Sequence, residues 1–319
     1  MGSTKRTVLA GVAVAMAAVL TASCGGGQPE APAGTGAATS GPTATVVEPV
    51  RDPGAIGTGP MAVYPAAPDP IFPMPEVLRG VVVRAGNDVA EWPPYFYQER
   101  VGGQPTEHIM GYTVDVLAEV FGLFGIPFTI ELLPWNRVLA EVAIGTRLHM
   151  FSDASYSEER NAGYLLSRPY YSTHGYYYWS RKYFPDGIAV ATATDLKRFR
   201  VAGVLGYNYS HYSFAPGELD QKAKSFPAVL QQLQRGYYDV TLENYETLVG
   251  YSAIGENLLA DPDIGYAPVP GMEPVSFYMM FARNDIGAAL KEVVDRGLAE
   301  LEARGELENL LRRYVPLPK

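Results

Sequence analysis

The 319 residues contain one cysteine, Cys24, so no intrachain disulfide can form and the fold must rest on a buried apolar core. Long apolar runs are missing too. The stretch Val8–Leu20 holds 13 residues, short of the roughly 20 that cross hydrocarbon, and no other segment could span a bilayer. Positive charge is scarce: 25 Lys and Arg stand against 34 Asp and Glu, a formal net charge of −9. A body of that sign is poorly matched to nucleic acid or to an anionic lipid surface. Catalytic spacing is lacking as well, with no Gly-x-Ser-x-Gly, no Walker loop and no Gly-x-Gly-x-x-Gly. The histidines His108, His149, His174 and His211 lie far apart with no acidic or cysteine ligand at metal spacing, which reads as surface or core histidines. No metal and no cofactor is expected.

What is present begins at the first residues. Lys5 and Arg6 precede the apolar stretch, and Leu20-Thr21-Ala22-Ser23-Cys24 closes it with small side chains. That is the layout of a bacterial export signal with a lipoprotein cleavage site, although Thr21 stands where Leu is commoner. Residues 1–24 are therefore expected to be a lipoprotein signal peptide, and the mature chain to begin at a lipidated Cys24. The resemblance to bacterial lipoproteins implies a diacyl or triacyl group, enough to hold an exported protein at the outer face of the cell membrane. Contact with the membrane would run through the lipid only.

Residues 25–76 are rich in Gly, Ala, Pro and Thr, with few large apolar side chains and no periodicity. Such a composition cannot bury enough surface to offset chain entropy, so the segment is expected to be a disordered tether. As a flexible coil of about 50 residues it would reach about 40 Å. From Val77 onward, strand-like runs at Val81–Val83, Phe128–Leu133 and Arg200–Val204 alternate with helical patterns such as Val114, Leu117, Val120, Phe121 and Phe124. The alternation predicts an α/β fold with a largely parallel sheet. A last amphipathic helix carries Leu290, Val293, Val294, Leu298 and Leu301 on one face, and no chemistry is assigned to it. About 240 residues remain for the folded part, enough for two lobes.

A series of local patterns follows in fixed order. It opens with Trp92-Pro93-Pro94-Tyr95, Gly111-Tyr112-Thr113-Val114-Asp115, and Pro134-Trp135-Asn136-Arg137 with Leu139. Gly145 then leads to Ser155-Tyr156-Ser157-Glu158-Glu159-Arg160, before Arg168-Pro169-Tyr170. Val204-Leu205-Gly206-Tyr207-Asn208, Arg235-Gly236-Tyr237-Tyr238-Asp239-Val240, and Gly305-Glu306-Leu307 before Arg313-Tyr314 complete it. Together, over about Leu78 to Val315, the chain resembles the family 3 extracellular solute-binding proteins of ABC importers, the polar amino-acid binders. The resemblance implies a type II periplasmic-binding-protein fold, two α/β lobes joined by two hinge strands and closing on the ligand like a clamp. Lobe 1 would combine residues 77–175 with 275–319, and lobe 2 would be 176–274. The crossings would fall near Tyr176–Trp179 and Val275–Met279.

The candidate residues have their own physical readings. If Ser157 is a helix N-cap, Arg160 lies in the first turn, where its guanidinium can hold a carboxylate by two parallel bonds or pair with Glu158 or Glu159. By resemblance it is the arginine that grips the ligand's carboxylate, and Ser155 the hydroxyl that bonds the same group. Trp92, in a loop before two prolines, and Trp135, after Pro134, either flank a ligand's side chain or pack in the core. Gly206-Tyr207-Asn208 follows a strand and is placed to open a helix whose N–H groups meet an anion, although relatives usually have Thr or Ser at the last two positions. Counted from Gly236, the family aspartate that pairs with a ligand ammonium falls on the neutral Asn244, with Glu243 beside it. Asp153 replaces a residue that is usually small; it either supplies the missing countercharge or pairs with Arg160. A larger cationic or aromatic zwitterion fits two tryptophans at least as well as an ordinary amino acid.

The expected function is a lipid-anchored receptor, monomeric and not an enzyme, that captures a small carboxylate-bearing solute and presents it to an ABC permease. Two alternatives remain open. One is a dehydratase on the same fold, like the cyclohexadienyl dehydratases, with Asp153 or Glu243 as general acid. The other is a sensory lipoprotein.

Overall fold

The computed structural model describes residues 60–315, so the expected signal peptide, Cys24 and most of the expected tether lie outside the described residues. The chain runs through β1 (Met61–Tyr64), β2 (Val83–Asp88), the hairpin of β3 (Tyr97–Val101) and β4 (Gln104–Met110), α1 (Tyr112–Gly122), β5 (Phe128–Leu133), α2 (Trp135–Ile144), β6 (Met150–Ser155), the short α3 (Glu158–Gly163), β7 (Leu165–Leu166) and β8 (Tyr171–Thr173). It continues as β9 (Gly175–Ser180), β10 (Val201–Val204), β11 (Asp220–Ala223), α4 (Phe226–Gln234), β12 (Val240–Asn244), α5 (Tyr245–Gly250), β13 (Ile264–Pro268), β14 (Val275–Phe281), α6 (Asp285–Ala303) and α7 (Glu306–Tyr314).

Two sheets build two lobes. The first has the order β1-β5-β2-β6-β14-β7, with β8 also on β14, and the second the order β11-β10-β12-β9-β13. The fold is thus the expected type II periplasmic-binding-protein architecture, but its sheets are mixed instead of largely parallel. β2 runs parallel to β5 and β6, and β10 parallel to β11 and β12. The strands laid down after each change of lobe, β9 and β14, enter from the opposite end and pair antiparallel with β12 and β6. The chain leaves the first sheet after Thr173 and enters the second at Gly175, then returns between Pro268 and Val275. Tyr176–Trp179, expected as the first crossing, are therefore paired inside the second sheet, and the passage itself is at His174. There Tyr245 donates its N–H to the His174 carbonyl, and Glu246 accepts from the His174 N–H at 2.9 Å.

Helices α1, α6 and α7 pack on one another in lobe 1. The apolar stripes read from sequence are the buried faces: Leu290, Val294, Leu298 and Leu301 of α6 meet Leu117, Val120 and Phe121 of α1 in one core. Asn284 caps α6 by accepting from the Gly287 N–H at 2.8 Å. A separate core fills lobe 2, where Val229, Leu230 and Leu233 of α4 cover Tyr178, Ala202 and Val204.

One boundary differs from the expected tether. Met61–Tyr64 form an edge strand antiparallel to β5, with Tyr64 stacked on Phe128 at 4.4 Å and its hydroxyl donating to the Ile109 carbonyl. Ile71 and Phe72 donate their N–H groups to the Leu123 carbonyl, and the Arg296 guanidinium lies 3.8 Å over the Phe72 ring. Residues 61–72 are held because an otherwise open sheet edge and a helix end supply their backbone partners. Val81 and Val82 lie just outside β2, which starts at Val83.

Candidate ligand-binding cleft

The parallel strands of both lobes end toward a common crevice, the position where open α/β sheets place their sites. Asp88 closes β2, Pro134-Trp135 follow β5, and Ser155 closes β6; Gly206-Tyr207 follow β10, and Glu243 and Asn244 close β12. The cavity between them encloses about 490 Å³ of atom-free space, part of it open to solvent. Trp92, Trp135, Asp153, Ser155, Arg160, Asn208, Glu243 and Asn244, each singled out from sequence, all line it.

Arg160 sits in the first turn of α3, whose N-cap Ser157 accepts from the Arg160 N–H at 3.1 Å. Its guanidinium is buried, 5.7 Å from the Trp135 ring, and donates from Nη1 to the Ser155 carbonyl at 2.9 Å and to Ser155 Oγ at 3.4 Å. Among the described residues no carboxylate pairs with it, so neither Glu158 nor Glu159 neutralises it. Burial pulls its pKa down to about 10, which still leaves a full charge at neutral pH.

Asp153 behaves differently from either reading made of it. At a left-handed backbone position (φ 58°) its carboxylate accepts from Thr113, Tyr170 and Tyr171 hydroxyls on one oxygen and from Asn87 Nδ2 and Ser152 Oγ on the other, at 2.6–2.9 Å. Burial pushes its pKa up, against those hydrogen bonds, which favour ionisation. Five neighbours of its own lobe use its lone pairs, so it acts as the centre of a polar network holding β2, α1 and β6 together. It neither pairs with Arg160 nor offers an unused oxygen.

The unused acceptor is Glu243. Its Oε1 accepts from the Asn244 backbone N–H at 2.7 Å, while the buried Oε2 has no partner, and burial pushes the carboxyl up to about 8. Asn244 Oδ1 is likewise buried and unpaired, and so are the indole Nε1 atoms of Trp92 and Trp135, the Tyr212 hydroxyl and His211 Nδ1. His211 is held neutral, its pKa brought to about 3 by burial and by the nearby Arg160. These unpaired atoms all belong to residues that line the one cavity. Each would cost about 1–3 kcal/mol if left so.

The Gly206-Tyr207-Asn208 segment does not open an α-helix as expected. It forms a turn in which Tyr207 N–H donates to the Val204 carbonyl, followed by a single 3₁₀ turn at Ser210–Tyr212. Its side chains reach across the crevice instead. Tyr207 donates its hydroxyl to Asp88 Oδ2 at 3.2 Å, and Asn208 Nδ2 donates to Ser155 Oγ at 3.2 Å and to the Tyr156 carbonyl at 2.7 Å. Asp88, whose pKa burial raises to about 6, was missed in the sequence, as were Asn87, His211, Tyr212 and Phe277. Asp88 carried a weak signal, a carboxylate five residues after the apolar run Val81–Val83; the others had none.

The family model of the bacterial extracellular solute-binding proteins, family 3, matches residues 84–316, which takes in both lobes and every residue of the cleft. The chain belongs to that family. Among curated relatives, the probable amino-acid-binding protein YxeM of Bacillus subtilis (strain 168) is 24% identical over 229 residues, covering 69% of this chain and 79% of that protein. Among solved structures, this solute-binding protein shares its fold with the amino acid ABC transporter substrate-binding protein AbpA from Streptococcus pneumoniae, bound to L-arginine. The TM-score is 0.59 at 20% identity, over 75% of this chain and 96% of that one. It shares the fold equally with a histidine kinase sensor domain similar to periplasmic binding proteins, with a TM-score of 0.60 at 21% identity over 73% of this chain and 95% of that domain.

Proposed function

We propose that this solute-binding protein is a lipid-anchored, monomeric receptor for an amino acid or a related small zwitterion, which it delivers to an ABC permease. One observation carries the reading: unpaired groups of complementary character line a single crevice between two lobes. A carboxylate would meet the uncompensated Arg160 guanidinium with Ser155 beside it, and an ammonium would meet Glu243 Oε2 and Asn244 Oδ1. A zwitterion brings both. The ligand's ammonium lies in the second lobe's reach and its carboxylate in the first lobe's, so both ends are satisfied only when the lobes are closed, and binding shifts the hinge equilibrium by that difference. A wrong guest leaves one of these buried groups unpaired, which is the basis of selectivity.

The test is calorimetric titration of the chain, lacking residues 1–24, with the twenty common L-amino acids. At least one should bind, and Arg160→Met should remove that heat while the fold persists. Absence of binding throughout, or unaltered binding by the variant, overturns the reading. Exchange of Cys24 for Ser should release the protein from the membrane fraction. The neutral, buried carboxyl of Glu243 keeps a dehydratase as the second reading, and mass spectrometry of the recovered ligand separates them: an unchanged mass supports the receptor. Because the fold is shared with a kinase sensor domain, delivery is tested by co-purification with a permease from membranes of the native host.

A further inference from the structure

We propose that Tyr207 sets the size of the ligand by filling the aromatic end of the crevice, so that the protein takes zwitterions with short side chains. The inference rests on the receptor reading above and narrows it. Trp92 and Trp135 are the flat surfaces against which a long cationic or aromatic side chain would lie. Tyr207, from the other lobe, already rests on both: its ring stands 5.5 Å from Trp92 at 72° and 6.5 Å from Trp135 at 74°, the edge-to-face arrangement that aromatic pairs prefer. Its hydroxyl takes one oxygen of Asp88, a carboxylate that lines the same cavity.

The ring is firmly placed. Its backbone N–H donates to the Val204 carbonyl, and Gln221 Nε2 donates to the carbonyls of both Tyr207 and Val204, at 2.8 and 3.1 Å. The residue before it, Gly206, has φ 79°, and a Cβ there would lie 2.2 Å from Asn136 Oδ1 and 3.1 Å from Trp135 Cδ1. The turn is seated directly on the first turn of α2, with no side chain to act as a spacer. What remains for a ligand is the space beside the Tyr207 ring, where Arg160, Ser155, Glu243 and Asn244 offer partners for a carboxylate and an ammonium and the two indole faces are already in contact with Tyr207.

The experiment compares the wild-type chain with Tyr207→Ala by calorimetric titration with glycine, L-alanine, L-serine, L-phenylalanine and L-arginine. Wild type should bind one of the three short ligands at least 100-fold more tightly than phenylalanine or arginine. Tyr207→Ala should gain at least tenfold for phenylalanine or arginine. Equal wild-type affinity for long and short side chains overturns the size rule, as does a folded Tyr207→Ala with wild-type selectivity; in both cases the receptor reading stands. No heat with any of the five in wild type overturns the size rule, and the receptor reading falls with it only if the other fifteen amino acids are silent too.

Discussion

Glu243 should make the ligand-free protein less stable as the pH rises above neutrality. Its carboxyl is buried at the end of β12 with one oxygen unpaired, and among the described residues it makes no ion pair. Burial raises its pKa from 4.5 to about 8. The folded state therefore keeps a proton that the unfolded chain has already released, so the contribution to stability is complete below pH 4.5 and is lost as the pH passes through 8. Asp88, raised from 3.8 to about 6, acts in the same direction at lower pH. His149 and His211, lowered from 6.5 to about 4 and about 3, act oppositely, since their neutral folded forms gain stability as the pH rises toward 6.5. Above pH 7 the unfolded histidines are mostly deprotonated and Asp88 is almost fully ionised in both states, while Glu243 still titrates. One displaced proton gives at most about 1.4 kcal/mol per pH unit, which for Glu243 between pH 7 and 8 integrates to roughly 1 kcal/mol. Guanidinium unfolding at half-unit steps across that window should show the decline, and Glu243→Gln should flatten it. A wild-type curve without slope, or a variant with the wild-type slope, would refute the assignment of an isolated buried carboxyl.

Three further outcomes can be checked separately. Gly250→Ala places a Cβ 2.3 Å from the backbone nitrogen of Pro94 across the crevice, so the lobes should fail to shut: small-angle scattering should give a larger radius, and ligand affinity should fall at least tenfold. Asp153→Asn keeps a residue that tolerates the left-handed backbone but turns a donor toward converging hydroxyls, and should lower unfolding free energy by about 2–4 kcal/mol in urea titration. Leu298→Ala, buried between α6 and α1, should cost about 2–5 kcal/mol by the same measurement and leave ligand selectivity unaltered.

What the sequence discloses follows the range of the interactions involved. The stripes on α1 and α6 were legible because a helix writes its burial into spacings of three and four. Ser157 was legible as a cap because the bond it makes spans three residues. β1 was not: Met61–Tyr64 is four residues among prolines and alanines, and what orders it is pairing with β5, nearly seventy positions away. The mixed direction of the sheets was hidden for a related reason, because it follows from the two changes of lobe and not from any local pattern. At the site, the family pattern named the residues that line the cavity, but not how their polar atoms are distributed. Asp153 and Glu243 are both buried acids in one-letter terms. Only the fold brings Thr113, Tyr170 and Tyr171 to the first and brings no cation to the second.

That contrast separates scaffold from receptor in this cleft. A buried carboxylate surrounded by donors from its own lobe is fixed whether the lobes are open or shut, so it cannot report the arrival of a guest. A buried group without a partner is a standing cost, and it is removed only by something that enters. Asp153 is of the first kind, with donors from β2, α1, β6 and β8 on its two oxygens. Glu243, Asn244 and the two indoles are of the second kind, and Arg160, bonded to Ser155 but to no carboxylate, stands with them; together they lie on both sides of the crevice. The bonds that already join the lobes, from Tyr207 to Asp88 and from Asn208 to Ser155 and the Tyr156 carbonyl, fix the closed geometry without touching those groups' unpaired atoms. The free energy of closure therefore divides into a part built into the chain and a part that the ligand must supply. Replacing Asn208 by Ala should weaken the first part alone, raising the fraction of open protein before ligand is added while leaving the ranking of ligands unchanged.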